Sequence, residues 1–413
     1  MTGNPILGPV VIVGAGHAGG SAAAFLRQYG YEGRIVLIGD EPIAPYQRPP
    51  LSKAYLKGES DAESLKLRPD DFYVDAAIEA HWGTRVEAID RSAKVVQLQG
   101  GETIAYGRLI LATGSRARRL PMPGADLKGV HAMRTLADAE DFKSALGPGK
   151  RLLVVGGGYI GLEAAASARA LGADAIILER EGRCLQRVAS QALSTFFEAY
   201  HRARGVEIRT RVGLTSLEGD EHHHVVAARL ADGETIPCTA ALIGVGGEPI
   251  DELALAAGLD CDGGVVVDHE ARTSDPDIFA IGDVTRRPLP VYGDRMMRLE
   301  SVPNALEQAK QAASAITGHA PPPPEVPWFW SDQFDIKLQI AGVPFAADDI
   351  VVRGDPTRPG FAVYHLEGTR IRAVEAVNSP PDFMWGKQQI ARPHAVDKAK
   401  LADPGVPIKT VLA

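Results

Sequence analysis

Short, continuously apolar runs recur along this chain, and each is followed by a glycine turn or a helix-like segment. Val10–Val13 and residues 152–155 are apolar at every position, as expected for strands of a parallel sheet that is buried on both faces. Each run enters a glycine-rich turn, then an alanine-rich segment of helical length, then a second apolar run. This order occurs twice and predicts two α/β units with parallel sheets.

The second of the two turns has the spacing G-x-G-x-x-G. Its glycines are Gly156, Gly158 and Gly161, and Glu179 follows the first of them by 23 residues (179 − 156). Such glycines allow a tight turn, close approach of a pyrophosphate and close packing of helix on strand, and the helix N-terminus presents N–H groups to the phosphates. A carboxylate at Glu179 accepts from a ribose 2′-OH and repels a 2′-phosphate, which favours NADH. Arg180 follows directly, so NADPH stays open.

The first turn repeats the same spacing and predicts a second dinucleotide site. The acid expected after its second strand is Asp40 or Glu41, with Asp40 preferred, although Gly39 stands where the acid more often lies. His17 inside the turn is interpreted as an outward-pointing side chain rather than a catalytic group. The glycines of this turn are Gly14, Gly16 and Gly19.

Two further segments, both after the first glycine turn, carry candidate chemistry. Pro49 and Pro50 stiffen a loop that holds Arg48 and Lys53. A rigid loop that holds cations suits a site that positions a ring system, although both could be ordinary surface charges. An apolar strand then ends in Ala112-Thr113-Gly114, where the chain is expected to return to the first cofactor.

The remaining pattern predicts β structure in two places. Strands at 84–86, 95–98 and 103–106 form a small antiparallel excursion from the first unit. The proline run at 321–324 is a stiff linker, and beyond it Trp328-Phe329-Trp330 opens a smaller C-terminal domain with short β runs at 338–341, 350–353, 362–366 and 371–377.

Composition narrows the class of protein. With 413 residues, two or three domains are expected. The net charge is 44 − 52 = −8 without blocks of one sign, which argues against nucleic-acid binding. No apolar run has the length of a membrane span, and the N-terminus lacks the basic start of a signal peptide, so a cytoplasmic protein is expected. Cys184, Cys238 and Cys261 form no C-x-x-C or C-x-x-x-x-C, and His222-His223-His224 is interpreted as a solvated loop, so no metal site is predicted.

The motifs together resemble one family. Besides the two glycine turns and A-T-G, the chain contains RPPLSKAYL (48–56), RTLADAE (134–140), TSDPDIFAIGD (273–283), ESVPNALEQA (300–309) and WFWSDQ (328–333). These are similar to the NADH-dependent, FAD-containing ferredoxin reductases of oxygenase systems, the putidaredoxin reductase-like family, over essentially the whole chain. The resemblance implies an FAD domain at 1–115 and 247–320, an inserted NAD domain at 116–246, and a C-terminal α+β interface domain at 325–413.

The resemblance also implies site residues. Lys53 and Glu163 would form a pair between nicotinamide and flavin, with a plain interdomain ion pair as the alternative. Gly246 would lie near the nicotinamide, but Gly247 and Ile250 depart from the family's G-x-G-x-x-P-N and leave the loop geometry and NADH affinity open. The implied FAD residues are Gly14, Gly16, Ala18, Asp40, Lys53, Val86, Arg134, Asp283 and Val302, and the implied NADH residues are Gly156, Gly158, Ile160, Glu163 and Glu179.

The expected function is electron transfer from NADH through FAD to a 2Fe-2S ferredoxin that supplies a haem-thiolate monooxygenase or a Rieske dioxygenase. Alternative acceptors are a rubredoxin, a quinone or oxygen. A disulfide or peroxide reductase would need a cysteine near the flavin, and residues 40–60 contain none. A signalling flavoprotein would carry insertions that this chain lacks. The ferredoxin is expected to dock near Trp330 and a basic patch, and the protein to be a monomer or weak homodimer; the candidate lysines are Lys310, Lys337, Lys387 and Lys409.

Overall fold

The computed structural model describes residues 8–413. The prediction about a signal peptide also concerns residues 1–7, which lie outside the described residues. The strands are β1 Val10–Val13, β2 Ile35–Ile38, β3 Ile78–His81, β4 Val86–Asp90, β5 Val95–Leu98, β6 Thr103–Ala105, β7 Arg108–Leu111, β8 Ser115–Ala117, β9 Val130–His131, β10 Arg151–Val155, β11 Asp174–Glu179, β12 Val206–Thr210, β13 Leu214–Gly219, β14 Val225–Leu230, β15 Thr235–Pro237, β16 Ala240–Ile243, β17 Gly247–Pro249, β18 Val265–Val266, β19 Ile278–Ala280, β20 Thr285–Leu289, β21 Arg295–Arg298, β22 Trp328–Gln333, β23 Ile336–Gly342, β24 Asp349–Arg353, β25 Phe361–Glu367 and β26 Arg370–Val377.

Helices connect these strands, and short 3₁₀ turns lie at Pro49–Ser52, Gly282–Val284, Pro290–Tyr292 and Ile408–Thr410. In residues 8–413, no helix is both long and apolar enough to cross a membrane. The helices are α1 His17–Gln28, α2 Ala62–Leu65, α3 Asp70–Asp75, α4 Leu136–Ser144, α5 Tyr159–Ala170, α6 Gln191–Arg202, α7 Glu252–Ala256, α8 Val302–Thr317, α9 Pro380–Ala391 and α10 Lys398–Ala402.

The chain divides into two compact units, each made of segments that are separate in sequence. The domain boundaries inferred from the sequence stay a prediction. The first unit is Met1–Gln47, Leu65–Arg116 and Glu248–Pro327, and the second is Arg48–Ser64, Ala117–Gly247 and Trp328–Ala413.

The first unit is built on a parallel five-stranded sheet in the order β19-β7-β1-β2-β3. β1 is central and fully apolar, so both of its faces are buried, as the sequence predicted. Helices α1 and α8 pack together on one face, where alanines of both helices allow close approach. Strands β4, β5 and β6 form the predicted antiparallel excursion. The expected strand at 84–86 was misplaced, because the pairing of β4 starts only at Val86.

The second unit contains a parallel sheet in the order β12-β11-β10-β16-β9 and a small antiparallel sheet of β13, β14 and β15. His222, His223 and His224 lie in the turn between β13 and β14. Within residues 8–413, no group of three or more metal-ligating side chains converges.

The C-terminal part of the second unit is an antiparallel sheet in the order β22-β23-β26-β25-β24, covered by α9. The core of this sheet includes Phe361, Tyr364 and Val374, all fully buried. The sheets therefore confirm an α/β fold with two Rossmann-like dinucleotide-binding units and a C-terminal α+β region.

Candidate functional site

The glycine turn of the first unit lies directly against the A-T-G return. Gly14 has a φ of +109°, and a Cβ there would lie 2.2 Å from the carbonyl oxygen of Ala112. Since β1 pairs with β7, the first strand and the returning strand end side by side. Thr113 donates its hydroxyl to the carbonyl of Ile250 at 2.6 Å, and the Ile250 N–H donates to Gly114. Ile250 thus supports the A-T-G return through main-chain hydrogen bonds. An isoleucine in place of the family's asparagine changes only the side chain and leaves these bonds in place.

Asp283 comes close to the same return. It follows β19 in a 3₁₀ turn and accepts a hydrogen bond from the hydroxyl of Ser115 at 3.1 Å. Gln308 of α8 stabilises this turn. Its side-chain oxygen accepts from the Gly282 N–H at 2.9 Å and from the Thr285 hydroxyl at 2.8 Å. Gln308 and Ser115 were missed from the sequence because nothing in their spacing links them to Asp283.

The two acidic candidates at the end of β2 differ in their surroundings. Asp40 is exposed, whereas Glu41 accepts a hydrogen bond from the Tyr46 hydroxyl at 2.7 Å. His17 is the first residue of α1, and its Nδ1 is buried without a hydrogen-bond partner. Burial lowers the pKa of His17 below its usual value, although Asp283 opposes the shift.

The predicted FAD residues are distributed over both units. Arg48, Lys53 and Arg134 belong to the second, where Arg48 donates to the main-chain oxygen of Arg134 at 2.6 Å. Those in the first unit are Gly14, Gly16, Ala18, Gly19, Asp40, Val86, Ala112, Thr113, Gly114, Asp283 and Val302.

The glycine turn of the second unit repeats this geometry. Gly156 has a φ of +105°, and a Cβ there would lie 2.4 Å from the carbonyl oxygen of Gly244. At Gly161 a Cβ would lie 2.2 Å from the Gly156 oxygen. Gly158 differs, because a Cβ there meets no protein atom within 4 Å. The main chain at Gly158 therefore borders open space, where a ligand phosphate can approach.

Glu179 is anchored beside this turn. Its two carboxylate oxygens accept from the N–H of Gly157 at 2.7 Å and of Glu181 at 2.8 Å. The carboxylate keeps further acceptor capacity for a ribose hydroxyl. Nearby in sequence, Ile160 is 45% exposed at the start of α5, and Gly246 is exposed with a φ of +105°.

Lys53 and Glu163 form a largely buried ion pair in the second unit. Lys53 Nζ lies 2.7 Å from Glu163 Oε2, and the two side chains are 15% and 5% exposed. Ser52 donates to the same oxygen at 2.5 Å, and Ser331 of β22 donates to Oε1 at 2.6 Å. The carboxylate is thus satisfied on both oxygens, as a buried charge requires. The two serines were not singled out from the sequence.

Both turns fit dinucleotides on a further structural observation. Helices α1 and α5, whose N-cap residues are Gly16 and Gly158, have no side-chain cap and no acidic residue in the first turn. By contrast, α4, α6 and α8 are capped by Thr135, Ser190 and Ser301. Uncapped N–H groups at a helix start bind phosphate, so these two turns suit a pyrophosphate each.

The three cysteines lie in surroundings that disfavour the reactive thiolate. None is disulfide-bonded, and Cys184 and Cys238 are buried. Burial raises the pKa of Cys184 to about 12 and those of Cys238 and Cys261 to about 11. The thiols are therefore protonated at neutral pH and weakly reactive.

The chain contains two dinucleotide-binding units. The first carries the A-T-G return and Asp283, and the second contains the buried Lys53–Glu163 pair. Together these features define a flavoprotein reductase. Residues 8–309 match the family described as pyridine nucleotide-disulphide oxidoreductase, and residues 328–412 match a reductase C-terminal family. The chain belongs, within the first of these, to the FAD-dependent, NADH-linked ferredoxin reductases, and its cofactors are FAD and NADH.

Individual relatives cover nearly the whole chain. A protein described as a probable ferredoxin reductase of Castellaniella defragrans is 53% identical, with 98% of both chains aligned. A rubredoxin-NAD(+) reductase of Pseudomonas putida is 40% identical and covers 90% of this chain and 96% of its own. Among solved structures, the covalent putidaredoxin reductase–putidaredoxin complex matches with a TM-score of 0.95 and 43% identity over 98% of both chains.

Proposed function

We propose that this protein takes electrons from NADH and delivers them one at a time to a 2Fe-2S ferredoxin, which supplies a haem-thiolate monooxygenase or a Rieske dioxygenase. The observation that carries the proposal is the similarity to ferredoxin reductases along the entire chain, including the C-terminal region. FAD, when bound, would supply the redox chemistry, since a flavin can take up a hydride from NADH and give up electrons singly. The protein acts in the cytoplasm, where NADH is available.

Main-chain groups of the two turns, together with side chains near them, bind and orient the cofactors. The N–H groups at the starts of α1 and α5 hold the pyrophosphates of FAD and NADH, respectively. Glu179 holds the adenosine ribose of NADH. Lys53 supplies positive charge at the reacting rings, and Glu163 fixes the position of Lys53. The start of α8 at Val302 directs the positive end of its dipole toward FAD.

The function is tested by stopped-flow mixing of the FAD-loaded protein with NADH, followed by a 2Fe-2S ferredoxin, a rubredoxin, a quinone or oxygen. The ferredoxin is expected to reoxidise the protein fastest. Because one relative is named a rubredoxin reductase, a rubredoxin is the second candidate acceptor. Faster reoxidation by quinone or oxygen than by either iron protein would overturn the assignment.

Replacing Glu179 by serine is expected to move the cofactor preference toward NADPH. The change removes the charge that repels a 2′-phosphate. The exposed Arg180, which in the unsubstituted protein lies 3.2 Å from Glu181, can then bind that phosphate. The ratio of kcat/KM for NADH over NADPH should fall by about 100-fold, roughly two tenfold steps of 1.4 kcal/mol. Glu181→Gln is the matched control, because its carboxylate lies beside Arg180 and not beside the turn. An unchanged ratio in Glu179→Ser would contradict the role of Glu179.

The ferredoxin is proposed to dock on the C-terminal region through a local basic patch. Trp328, Phe329 and Trp330 are all half-buried rather than core residues, and the two indole rings lie 5.7 Å apart. Lys387 lies over the Trp328 ring at 5.0 Å. Lys337 and Lys409 are exposed in the same unit. Half-buried aromatic side chains with a cation against them, and further exposed lysines in the same unit, suit an acidic partner.

Reversing the charge of Lys337 and Lys409 together to glutamate is expected to lower the association rate of ferredoxin about tenfold at low salt. Opposite charges steer association, so the salt dependence of the rate should weaken as well. Stopped-flow rates over a range of ionic strength measure both. Lys310→Glu in α8 tests the remaining candidate, which lies 5.7 Å from the Phe25 ring. Lys150→Glu, at an exposed position before β10, is the control, and equal effects from it would refute a local patch.

The oligomeric state expected from the sequence, a monomer or a weak homodimer, stays a prediction.

A further inference from the structure

We propose that Ser331 of β22, backed by Gln333 and His201, is a positioning residue that directs a chain of buried hydrogen bonds onto Glu163 and so fixes the Lys53–Glu163 pair for hydride transfer. The inference rests on the proposed function, because it assumes that this pair acts at the cofactors. It links the C-terminal sheet to the chemistry by a route other than the docking of a partner.

The chain of contacts is continuous and buried. Ser331 donates to Glu163 Oε1 at 2.6 Å, and Gln333 Nε2 donates to Ser331 Oγ at 3.1 Å. His201 Nε2 lies 2.9 Å from Gln333 Oε1. The exposed fractions are 1% for Ser331, 1% for Gln333 and 0% for His201. All of these residues belong to the second unit.

The direction of every hydrogen bond follows from the carboxylate. An ionised Glu163 only accepts, so the single hydroxyl proton of Ser331 points to it. Ser331 Oγ must then accept from the Gln333 amide, which turns Gln333 Oε1 toward His201. His201 therefore donates through Nε2. Each donor strengthens the next, because hydrogen bonds in a chain polarise one another.

The state of His201 agrees with this direction. Burial lowers the pKa of His201 to about 4, so the ring is neutral at physiological pH and carries one N–H. Its Nδ1 is buried without a hydrogen-bond partner. A neutral ring with an unpartnered Nδ1 places its proton on Nε2, the nitrogen that faces Gln333.

Ser331 holds a part of Glu163 that no other contact holds. Lys53 and Ser52 both bind Oε2, whereas Oε1 receives only Ser331 among the hydrogen bonds of the described residues. Without Ser331 the carboxylate can rotate about its last torsion and carry the Lys53 ammonium with it. A misplacement of this kind slows a reaction that depends on orientation without removing any group that touches the cofactors.

The test is a double-mutant cycle on the FAD-loaded protein, with Ser331→Ala, Glu163→Ala and the combined variant. Stopped-flow flavin reduction by saturating NADH should be about tenfold slower in Ser331→Ala and about 100-fold slower in Glu163→Ala. The combined variant should be no slower than Glu163→Ala alone. Thermal unfolding midpoints, measured without NADH, should be non-additive in the same way. Ser331→Thr keeps the hydroxyl and should restore the rate to within about threefold.

Ser190→Ala is the matched control. Ser190 is also a buried serine that donates to a buried carboxylate, Glu375, at 2.5 Å. Its loss should lower the unfolding midpoint and leave flavin reduction unchanged. Where Glu163→Ala binds no FAD, Glu163→Gln replaces it in the cycle.

The outcomes separate the two levels of the proposal. If Glu163→Ala slows flavin reduction but Ser331→Ala does not, the positioning role is overturned and the proposed function stands. An equal slowing by Ser331→Ala in both backgrounds also overturns it, because Ser331 would then act independently of Glu163. If Glu163→Ala leaves flavin reduction unchanged, the role of the pair in the proposed function fails first.

Discussion

Replacing Gly158 by alanine is expected to weaken NADH binding by about 100-fold, or about 2.7 kcal/mol, while the protein stays folded and keeps FAD. Gly158 caps α5 in an extended conformation with a φ of −82°, which alanine adopts without strain. The added methyl group meets no protein atom within 4 Å, so it occupies only the open space in which the pyrophosphate is proposed to bind. Because NADH reduces the bound FAD, the dependence of the stopped-flow reduction rate on NADH concentration gives the dissociation constant, and the flavin spectrum before mixing reports retained FAD.

Two other glycine substitutions serve as comparisons for Gly158→Ala. Gly213→Ala places a methyl group at ordinary contact distance, 3.4 Å from the Ala231 side chain and away from the fingerprint, and it should leave NADH affinity unchanged. Gly156→Ala forces a Cβ against the Gly244 oxygen at a positive φ and should disturb the fold of the turn itself. Unchanged NADH affinity in Gly158→Ala would mean that the pyrophosphate does not approach this turn.

Replacing Lys53 by methionine is expected to destabilise the protein by about 3–5 kcal/mol, because it leaves the 5%-exposed Glu163 carboxylate without its counter-charge. Flavin reduction by NADH should also slow by about 100-fold, because the reacting rings lose a group that orients them. Thermal unfolding and stopped-flow absorbance measure the two effects separately. Stability is compared at equal FAD loading.

The double variant Lys53→Met, Glu163→Leu distinguishes a catalytic pair from a structural one. It removes both charges. The hydroxyls of Ser52 and Ser331 lose their acceptor and the Pro49 carbonyl loses its Lys53 donor, at about 1–3 kcal/mol for an unsatisfied buried group. Stability should therefore recover in large part, whereas flavin reduction should stay slow. Recovery of both stability and the rate of flavin reduction would show that the ion pair only stabilises the fold.

The glycine turns show how far local sequence reaches. A positive φ at Gly14 and Gly156 and the close packing of helix on strand are demands of the backbone, so they appear as residue types at fixed spacing. The apolar strands are predictable for the same reason, because a strand buried on both faces requires apolar residues throughout. The exception is the start of β4, where pairing with β5 and not residue type decides the boundary.

The surroundings of Glu163 show where local sequence stops. Glu163 and Ser331 are 168 residues apart (331 − 163), and Ser52 is 111 residues from Glu163 (163 − 52). A serine or glutamine in a strand has many equally ordinary partners, and only the packing of β22 against α5 selects the carboxylate.

The sequence alone thus determined the two dinucleotide units, the cofactors and the class of reaction, because each rests on short-range backbone geometry or on motifs along the whole chain. Tertiary structure decided which oxygens of Glu163 are held and by which donors, and that Gly158 borders open space. These are properties of atoms brought together from distant segments, and spacing along the chain carries no record of them.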